Sequence, residues 1–217
     1  MSKIASPEAL KTYREELVKA RPTDQPVIAV CNGTGCIACG SGQVVAAFEK
    51  ELKAQGLEDK VQLRATGCQG FCERSTLVQF LPEGVLYQRV TAEDVPEIVA
   101  KTVKGGEYLE KFFYEDPATG EKIKLEKDIP FYKHQTRHLI DKILNVDPTS
   151  IDDYIACGGY GSLAKAFELG ADKVLDEVKK SELRGRGGGG FLAGRKWETC
   201  KNVPAEKRYI ICNANEG

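Results

Sequence analysis

A chain of 217 residues with 31 basic and 32 acidic side chains, a formal charge of −1, lacks the basic surplus of a dedicated nucleic-acid binder. No apolar run approaches the roughly 18 residues of a membrane span, and Met1-Ser2-Lys3-Ile4-Ala5 lacks the apolar core of a secretory signal, so the chain reads as cytoplasmic. Eight cysteines without such a signal point to metal ligands or reduced core thiols rather than a disulfide framework, and the length suffices for two domains.

Ser6 as N-cap, Pro7 at the first helical position and Glu8 behind it predict a helix with Leu10, Tyr13, Leu17 and Val18 on one face, ending before Arg21-Pro22. Val27-Ile28-Ala29-Val30 predicts a buried strand that delivers Cys31 to the loop Asn32-Gly33-Thr34-Gly35-Cys36. A helix follows, with Val44, Val45, Phe48 and Leu52 inward and Gly56 as its stop. Val61-Gln62-Leu63-Arg64-Ala65 predicts a second strand, which feeds the loop Thr66-Gly67-Cys68-Gln69-Gly70-Phe71-Cys72. Leu77 to Leu81 and Val85 to Val90, joined by Pro82-Glu83-Gly84, predict a hairpin. Thr91 and Asp94 then open a further helix through a capping box, burying Val95, Ile98, Val99 and Val103.

The order β-α-β-β-α after a leading helix is thioredoxin-like, with a right-handed crossover. This α/β domain is expected over residues 1–106, with a charged connector or small hairpin over 107–132. Over 133–217 helical patterns return at His138 to Leu144, Ile151 to Ile155, Leu163 to Phe167 and Val174 to Val178, followed by a glycine-rich run and a strand Arg208-Tyr209-Ile210-Ile211-Cys212. A domain does not normally stop one strand into its sheet, so the chain is expected to be the front of a longer polypeptide.

Three readings compete for the cysteines. Cys36-Ile37-Ala38-Cys39 has the placement of a redox dithiol, after a strand and before a helix, but leaves Cys31, Cys68 and Cys72 unexplained. Structural zinc favours Cys-x2-Cys knuckles. The wider Cys31-x4-Cys36 and Cys68-x3-Cys72 suit two loops that each present a pair of soft thiolates to a two-iron cluster, with Cys39 outside both pairs. Four buried thiols acting as small hydrophobes would not need glycines at 33, 35, 67 and 70, which let backbone N–H groups approach cluster sulfur.

Cys31-x4-Cys36 with Thr34-Gly35, and Thr66-Gly67-Cys68-x3-Cys72, resemble the thioredoxin-like [2Fe-2S] ferredoxin domain known from the small 24-kDa-type subunit of respiratory complex I, over residues 20–104. The resemblance implies a [2Fe-2S] cluster on Cys31, Cys36, Cys68 and Cys72.

Gly185-x-Gly187-x-x-Gly190 matches the dinucleotide fingerprint as a string but follows a helix pattern rather than a strand, and no Gly-Lys-Ser/Thr follows to make a Walker A loop. A flexible linker is the bland alternative. Consecutive glycines beside Arg184, Arg186, Arg195 and Lys196, closed by Phe191 and Trp197, can instead turn N–H groups towards an anion and lie flat against a ring.

Leu183-Arg184-Gly185-Arg186-Gly187-Gly188-Gly189-Gly190-Phe191, Gly194-Arg195-Lys196-Trp197 and Cys212-Asn213-Ala214-Asn215-Glu216-Gly217 resemble the start of the NADH-binding flavoprotein, the 51-kDa-type subunit of complex I, with Tyr154 to Leu163 fitting its helical lead-in. The fold class implied is α/β throughout: a thioredoxin-like [2Fe-2S] domain, a helical lead-in and the first part of an α/β FMN-binding domain. The resemblance implies that Gly185, Arg186, Gly187, Gly188, Gly189, Gly190 and Lys196 hold FMN, that Asn213 contacts its phosphate or ribityl chain, and that Phe191 and Glu216 face NADH. Asn215 stands where that family usually has aspartate, which alters the charge beside the flavin.

Together the resemblances imply a diaphorase-type subunit of a soluble, NAD(P)H-linked multisubunit complex, with a [4Fe-4S] site in the family's later part and other iron–sulfur and catalytic subunits as partners. The rival from another class is a non-enzymatic [2Fe-2S] carrier whose C-terminal half only docks partners. His134 and His138 read as surface histidines, because His-Gln-Thr-Arg-His lacks the glutamate of the zinc-protease motif. Cys157, Cys200 and Cys212 read as buried hydrophobes.

Overall fold

A computed structural model describes residues 4–21, 25–138 and 140–211. The chain divides into two compact units, Arg14–Gly158 and Met1–Tyr13 with Gly159–Gly217. Helix α1 (Pro7–Ala20) is capped as expected, the Ala9 N–H donating to Ser6 Oγ at 3.1 Å, and it buries Leu10 but leaves Val18 exposed.

The larger unit is α/β. β1 (Val27–Cys31) pairs on one side with β2 (Gln62–Thr66) in parallel and on the other with β3 (Val78–Leu81) in antiparallel fashion, and β4 (Val85–Tyr87) pairs with β3, giving the order β2-β1-β3-β4. Ile28, Ala29 and Val30 are all buried because a central strand covered on both faces has no wet side. β2 starts one residue later than the sequence suggests and takes in Thr66. Gly84, at φ +76°, supplies the left-handed position in the turn between β3 and β4.

The one-turn helix α2 (Thr34–Ala38) and α3 (Ser41–Ala54) connect the two parallel strands. α3 lays Val44, Phe48 and Leu52 on the sheet and stops before Gly56, whose φ is +63°. The capping box forms, with the Thr91 N–H donating to Asp94 Oδ2 at 3.0 Å, and α4 (Val95–Ile98) runs on as π-helical turns to Lys104, burying Val95, Ile98 and Val99.

The boundary expected after Gly106 does not end this unit. Residues 107–132 contain the small hairpin of β5 (Tyr114–Glu115) and β6 (Lys122–Ile123), but their apolar side chains join the core. Leu109, Phe112 and Phe113 pack with the sheet, and the buried Tyr87 hydroxyl lies 2.9 Å from Thr102 Oγ1 and accepts the Leu109 N–H at 2.6 Å. The charges that suggested a connector sit between these aromatics and point outward. Helices α5 (Pro130–Lys133) and α6 (Ile151–Ala156) complete the unit.

The helix expected at His138 to Leu144 is replaced by bends and a 3-10 turn at Ile143–Asn145, with Leu139 outside the described residues. The nearby carbonyls are used elsewhere: Arg64 donates to Leu144 O and Arg21 to Asn145 O.

The smaller unit contains α7 (Gly161–Leu169), α8 (Ala171–Lys180) and α9 (Ala193–Asn202). The sequence of α9 carries no clear helical period. The helix lies tightly on α8, since a Cβ at Gly194 would come within 2.8 Å of Lys179 Cα, and Lys179–Glu198 and Lys201–Asp172 ion pairs tie the two helices. The strand expected over 208–212 does not form in its described part: Tyr209, Ile210 and Ile211 are exposed, with no neighbouring strand among the described residues to complete a ladder. Arg208 instead donates to the Cys200, Lys201 and Val203 carbonyls at the end of α9. Among the described residues no helix is long and apolar enough to cross a membrane.

Candidate metal centre

Cys31 stands opposite Thr66 in the parallel pair, so both cysteine loops leave the same end of the sheet. The Cys31 N–H donates to Leu77 O at 3.0 Å and the Asn32 N–H to Thr66 O at 2.9 Å, fixing where the first loop begins. That loop is tighter than expected: α2 occupies Thr34–Ala38 and carries Cys36 inward, while Ser41 Oγ donates to Asn32 Oδ1 at 2.7 Å.

The four sulfurs fall into two pairs. Cys31 and Cys36 Sγ are 3.2 Å apart and buried; Cys68 and Cys72 Sγ are 3.8 Å apart and exposed. Two thiolates on one tetrahedral metal at about 2.3 Å lie roughly 3.8 Å from each other. The loops also touch, because a Cβ at Gly33 would fall 2.7 Å from Cys68 Cβ and one at Gly35 would fall 3.3 Å from Cys72 Sγ. Only glycine lets the two pairs approach so closely. The arrangement is that of two adjoining sulfur pairs, which suits a two-iron cluster.

Backbone donors face the sulfurs. The Gly70 N–H lies 3.3 Å from Cys68 Sγ, and the Gly33 and Gln69 N–H groups favour the Cys31 thiolate. Burial outweighs them and, with Cys36 beside it, pushes the Cys31 thiol up to about 12. Cys72 is raised by its hydrogen bond with Cys68, by burial and by the neighbouring thiols. A soft cation in place of the protons relieves both effects, as thiolate ligation requires. The donor set therefore fits a two-iron cluster. Cys39 ends α2 exposed, and Cys36 meets Cys31 rather than Cys39, which is not the dithiol arrangement.

Two parts of this site carry no obvious signal in the sequence. Ser75 Oγ lies 3.2 Å from Cys36 Sγ and donates to Cys72 O at 2.8 Å. Phe71, between Cys68 and Cys72, stacks on Phe131 with ring centroids 4.2 Å apart and planes 6° off parallel, and Tyr114 and Tyr132 close round it. A Phe-Tyr pair after Pro130 in a charged stretch was the one available hint.

The glycine run links α8 to α9 as an exposed loop, so no strand precedes it, as read from the sequence. Its base is closed by Gly185 N–H to Phe191 O at 2.9 Å, Ala193 N–H to Leu183 O at 2.8 Å and Arg184 Nη1 to Gly190 O at 3.2 Å. A Cβ at Gly187, Gly188, Gly189 or Gly190 would meet nothing within 4 Å, and Gly188 and Gly190 adopt φ +105° and +58°. Lys196 lies on the first turn of α9, and Phe191 is 58% exposed at the loop's end. Open glycine backbone beside Arg186 and Lys196 suits a flat group bearing phosphate. Asn213, Asn215 and Glu216 lie outside the described residues.

His134 and His138 are exposed, but Cys200 is exposed and Cys157 half-buried rather than core; Cys157 lies among polar groups, with Arg21 Nη1 3.5 Å from its sulfur. Cys212 is outside the described residues.

Residues 9–103 match the model of the thioredoxin-like [2Fe-2S] ferredoxin. The chain is 51% identical over 72 residues to HndC, a component of the NADP-reducing hydrogenase of Solidesulfovibrio fructosivorans, covering 33% of this chain and 15% of that protein. It is 49% identical over 67 residues to a component of the NADH-quinone oxidoreductase of Aquifex aeolicus, covering 31% of this chain and 16% of the relative. Only about a sixth of the length of either relative is spanned. With the 2Fe-2S ferredoxin of Clostridium pasteurianum it shares 38% identity over 76 residues, 35% of this chain but 74% of that protein. With most of a relative matched and the expected sheet and paired cysteine loops in place, the chain belongs to the thioredoxin-like [2Fe-2S] ferredoxin family.

Proposed function

We propose that this chain relays electrons in an NAD(P)H-linked flavin and iron–sulfur oxidoreductase, with Cys31, Cys36, Cys68 and Cys72 as ligands of a [2Fe-2S] cluster. The observation that carries this reading is the meeting of two sulfur pairs from separate loops at one sheet end. The cluster supplies one-electron transfer. Gly33 and Gly35 let the loops close, and the N–H groups of Gly70, Gly33 and Gln69 stabilise charge on sulfur.

The names of the relatives, components of an NADP-reducing hydrogenase and of an NADH-quinone oxidoreductase, support NAD(P)(H) as the two-electron partner. Flavin exchanges hydride for single electrons, which such a pairing requires. In this reading Gly185 to Gly190, with Arg186 and Lys196, hold FMN; Phe191 and Glu216 face the nicotinamide; Asn213 and Asn215 border the flavin. Of residues 133–217, those from Gly159 onward, which fall in the smaller unit, are then the part that belongs to the flavoprotein domain. A [4Fe-4S] site belongs to a further part of the polypeptide, and the complex, with its other iron–sulfur and catalytic subunits, resides in the cytoplasm.

Serine at each of the four ligand positions, in protein prepared without oxygen, tests the assignment. Each variant should lose the visible charge-transfer bands, whereas Cys39→Ser should keep them. Bands that survive at Cys68→Ser and Cys72→Ser but vanish at Cys39→Ser would overturn the ligand set.

A further inference from the structure

We propose that the Tyr132 hydroxyl donates a hydrogen bond to sulfur at the [2Fe-2S] centre and is a positioning residue that sets its reduction potential. The proposal rests on the cluster reading above.

Tyr132 is 4% exposed and shares one buried cluster with Cys31, Cys36, Phe71 and Leu77. Its ring meets Phe71 edge-on at 5.7 Å and Phe131 at 4.9 Å, and the Arg137 guanidinium sits 4.5 Å from the ring centroid. The rest of the side chain is thus fully engaged, yet its Oη is buried without a hydrogen-bond partner among the described residues. A buried hydroxyl left so costs about 1–3 kcal/mol, and native structures rarely leave one without an occupant to satisfy it.

Phe71, which the ring meets edge-on, lies between Cys68 and Cys72, and Cys31 and Cys36 share the same buried cluster, so the Tyr132 side chain packs against both ligand loops. Cys31 and Cys68 are also among the groups whose charge bears on the hydroxyl. A phenol carries its proton at neutral pH and can donate it. Tyr132 also lies beyond residues 9–103, the part matched to the family, so this contact belongs to the segment that this chain packs over the site.

Reduction adds negative charge to the cluster sulfurs, so a donor aimed at them favours the reduced state. In the chain with its cluster assembled, Tyr132→Phe should leave iron content and the visible spectrum unchanged. At a fixed potential it should raise the ratio of oxidised to reduced cluster about tenfold, a fall of about 59 mV for a one-electron couple. Redox titration followed by EPR reads this directly. Phe131→Leu disturbs the same aromatic stack but spares the hydroxyl, and its potential should stay within about twofold of wild type on that scale. Fluorotyrosine placed at position 132 makes a stronger donor without changing the packing and should move the potential upward, which decides the matter even if the phenylalanine form fails to load. An unmoved potential in Tyr132→Phe or with fluorotyrosine, or an equal shift in Phe131→Leu, overturns the proposal alone. A wild-type chain without any iron–sulfur chromophore overturns the functional reading and this proposal with it.

Discussion

Gly33→Ala should separate the two cysteine loops. Gly33 has φ −66° and ψ 163°, a conformation open to alanine, so the substitution adds no backbone strain and its effect is steric. The new Cβ would lie 2.7 Å from Cys68 Cβ and 3.0 Å from Cys68 Cα. Carbon atoms rest about 3.5–4.0 Å apart, so the loops must part by roughly 1 Å. Such overpacking costs about 1–3 kcal/mol, against about 0.4–1 kcal/mol returned by a stiffer unfolded chain. A net loss of about 0.5–2 kcal/mol in urea unfolding of the cluster-free chain is expected, with weaker cluster retention because Cys68 itself is displaced. Gly42→Ala is the control: nothing lies within 4 Å of its Cβ on α3, and alanine there should stabilise by roughly 0.5–1 kcal/mol. If Gly33→Ala matched Gly42→Ala in stability and kept its cluster, the loops would not be in the contact described.

Phe48→Ala, which empties a fully buried position between α3 and the sheet, should cost about 3–5 kcal/mol by denaturant unfolding. Burial opposes ionisation of Asp153, but Arg21 at 2.7 Å, the Asp147 N–H and Arg64 together hold its carboxyl below the ordinary value. A depressed folded-state value stabilises above the unfolded pKa of about 3.9 and is lost as pH falls through the lower folded value. Asp153→Asn should therefore cost about 1 kcal/mol at neutral pH, a difference that closes in strong acid; a constant difference across the acid range would show that the charge plays no part. Gly188→Val places a branched side chain at φ +105° on the open face of the glycine loop. On the proposed function it should abolish released flavin fluorescence and NADH-dependent acceptor reduction while leaving the iron cluster intact, and undiminished activity would return the glycine run to a linker.

The sheet and the cysteine pairs were legible because their signals are local. Val27 to Val30 is a short apolar run, Val44, Phe48 and Leu52 repeat at helical spacing, and each cysteine pair lies within seven residues of a strand end. What the sequence hid depends on distant partners. Phe112, Phe113 and Tyr132 look like aromatics scattered in a charged connector until Tyr87 and Phe71 are placed beside them. The apolar spacing at Ile140, Ile143 and Leu144 suggests a helix, but Arg64 and Arg21, more than a hundred residues before it in the latter case, occupy the nearby carbonyls. Val-free, Gly-containing Ala193–Asn202 shows no clear periodicity, yet it is a helix because Gly194 allows it to lie against Lys179. The Ile210-Ile211 pattern reads as a strand, and strands exist only where a neighbour supplies the ladder.

The central claim is that two loops of this chain hold a two-iron cluster on Cys31, Cys36, Cys68 and Cys72. Native mass spectrometry of the protein prepared without oxygen tests it most directly, because the bound mass identifies the metal and the sulfide together. A mass increment of two irons with two sulfides, absent from Cys31→Ser and present in Cys39→Ser, is the expected result. A single zinc on the wild-type chain, or a metal-free chain that oxidises to a disulfide between Cys36 and Cys39, would contradict it.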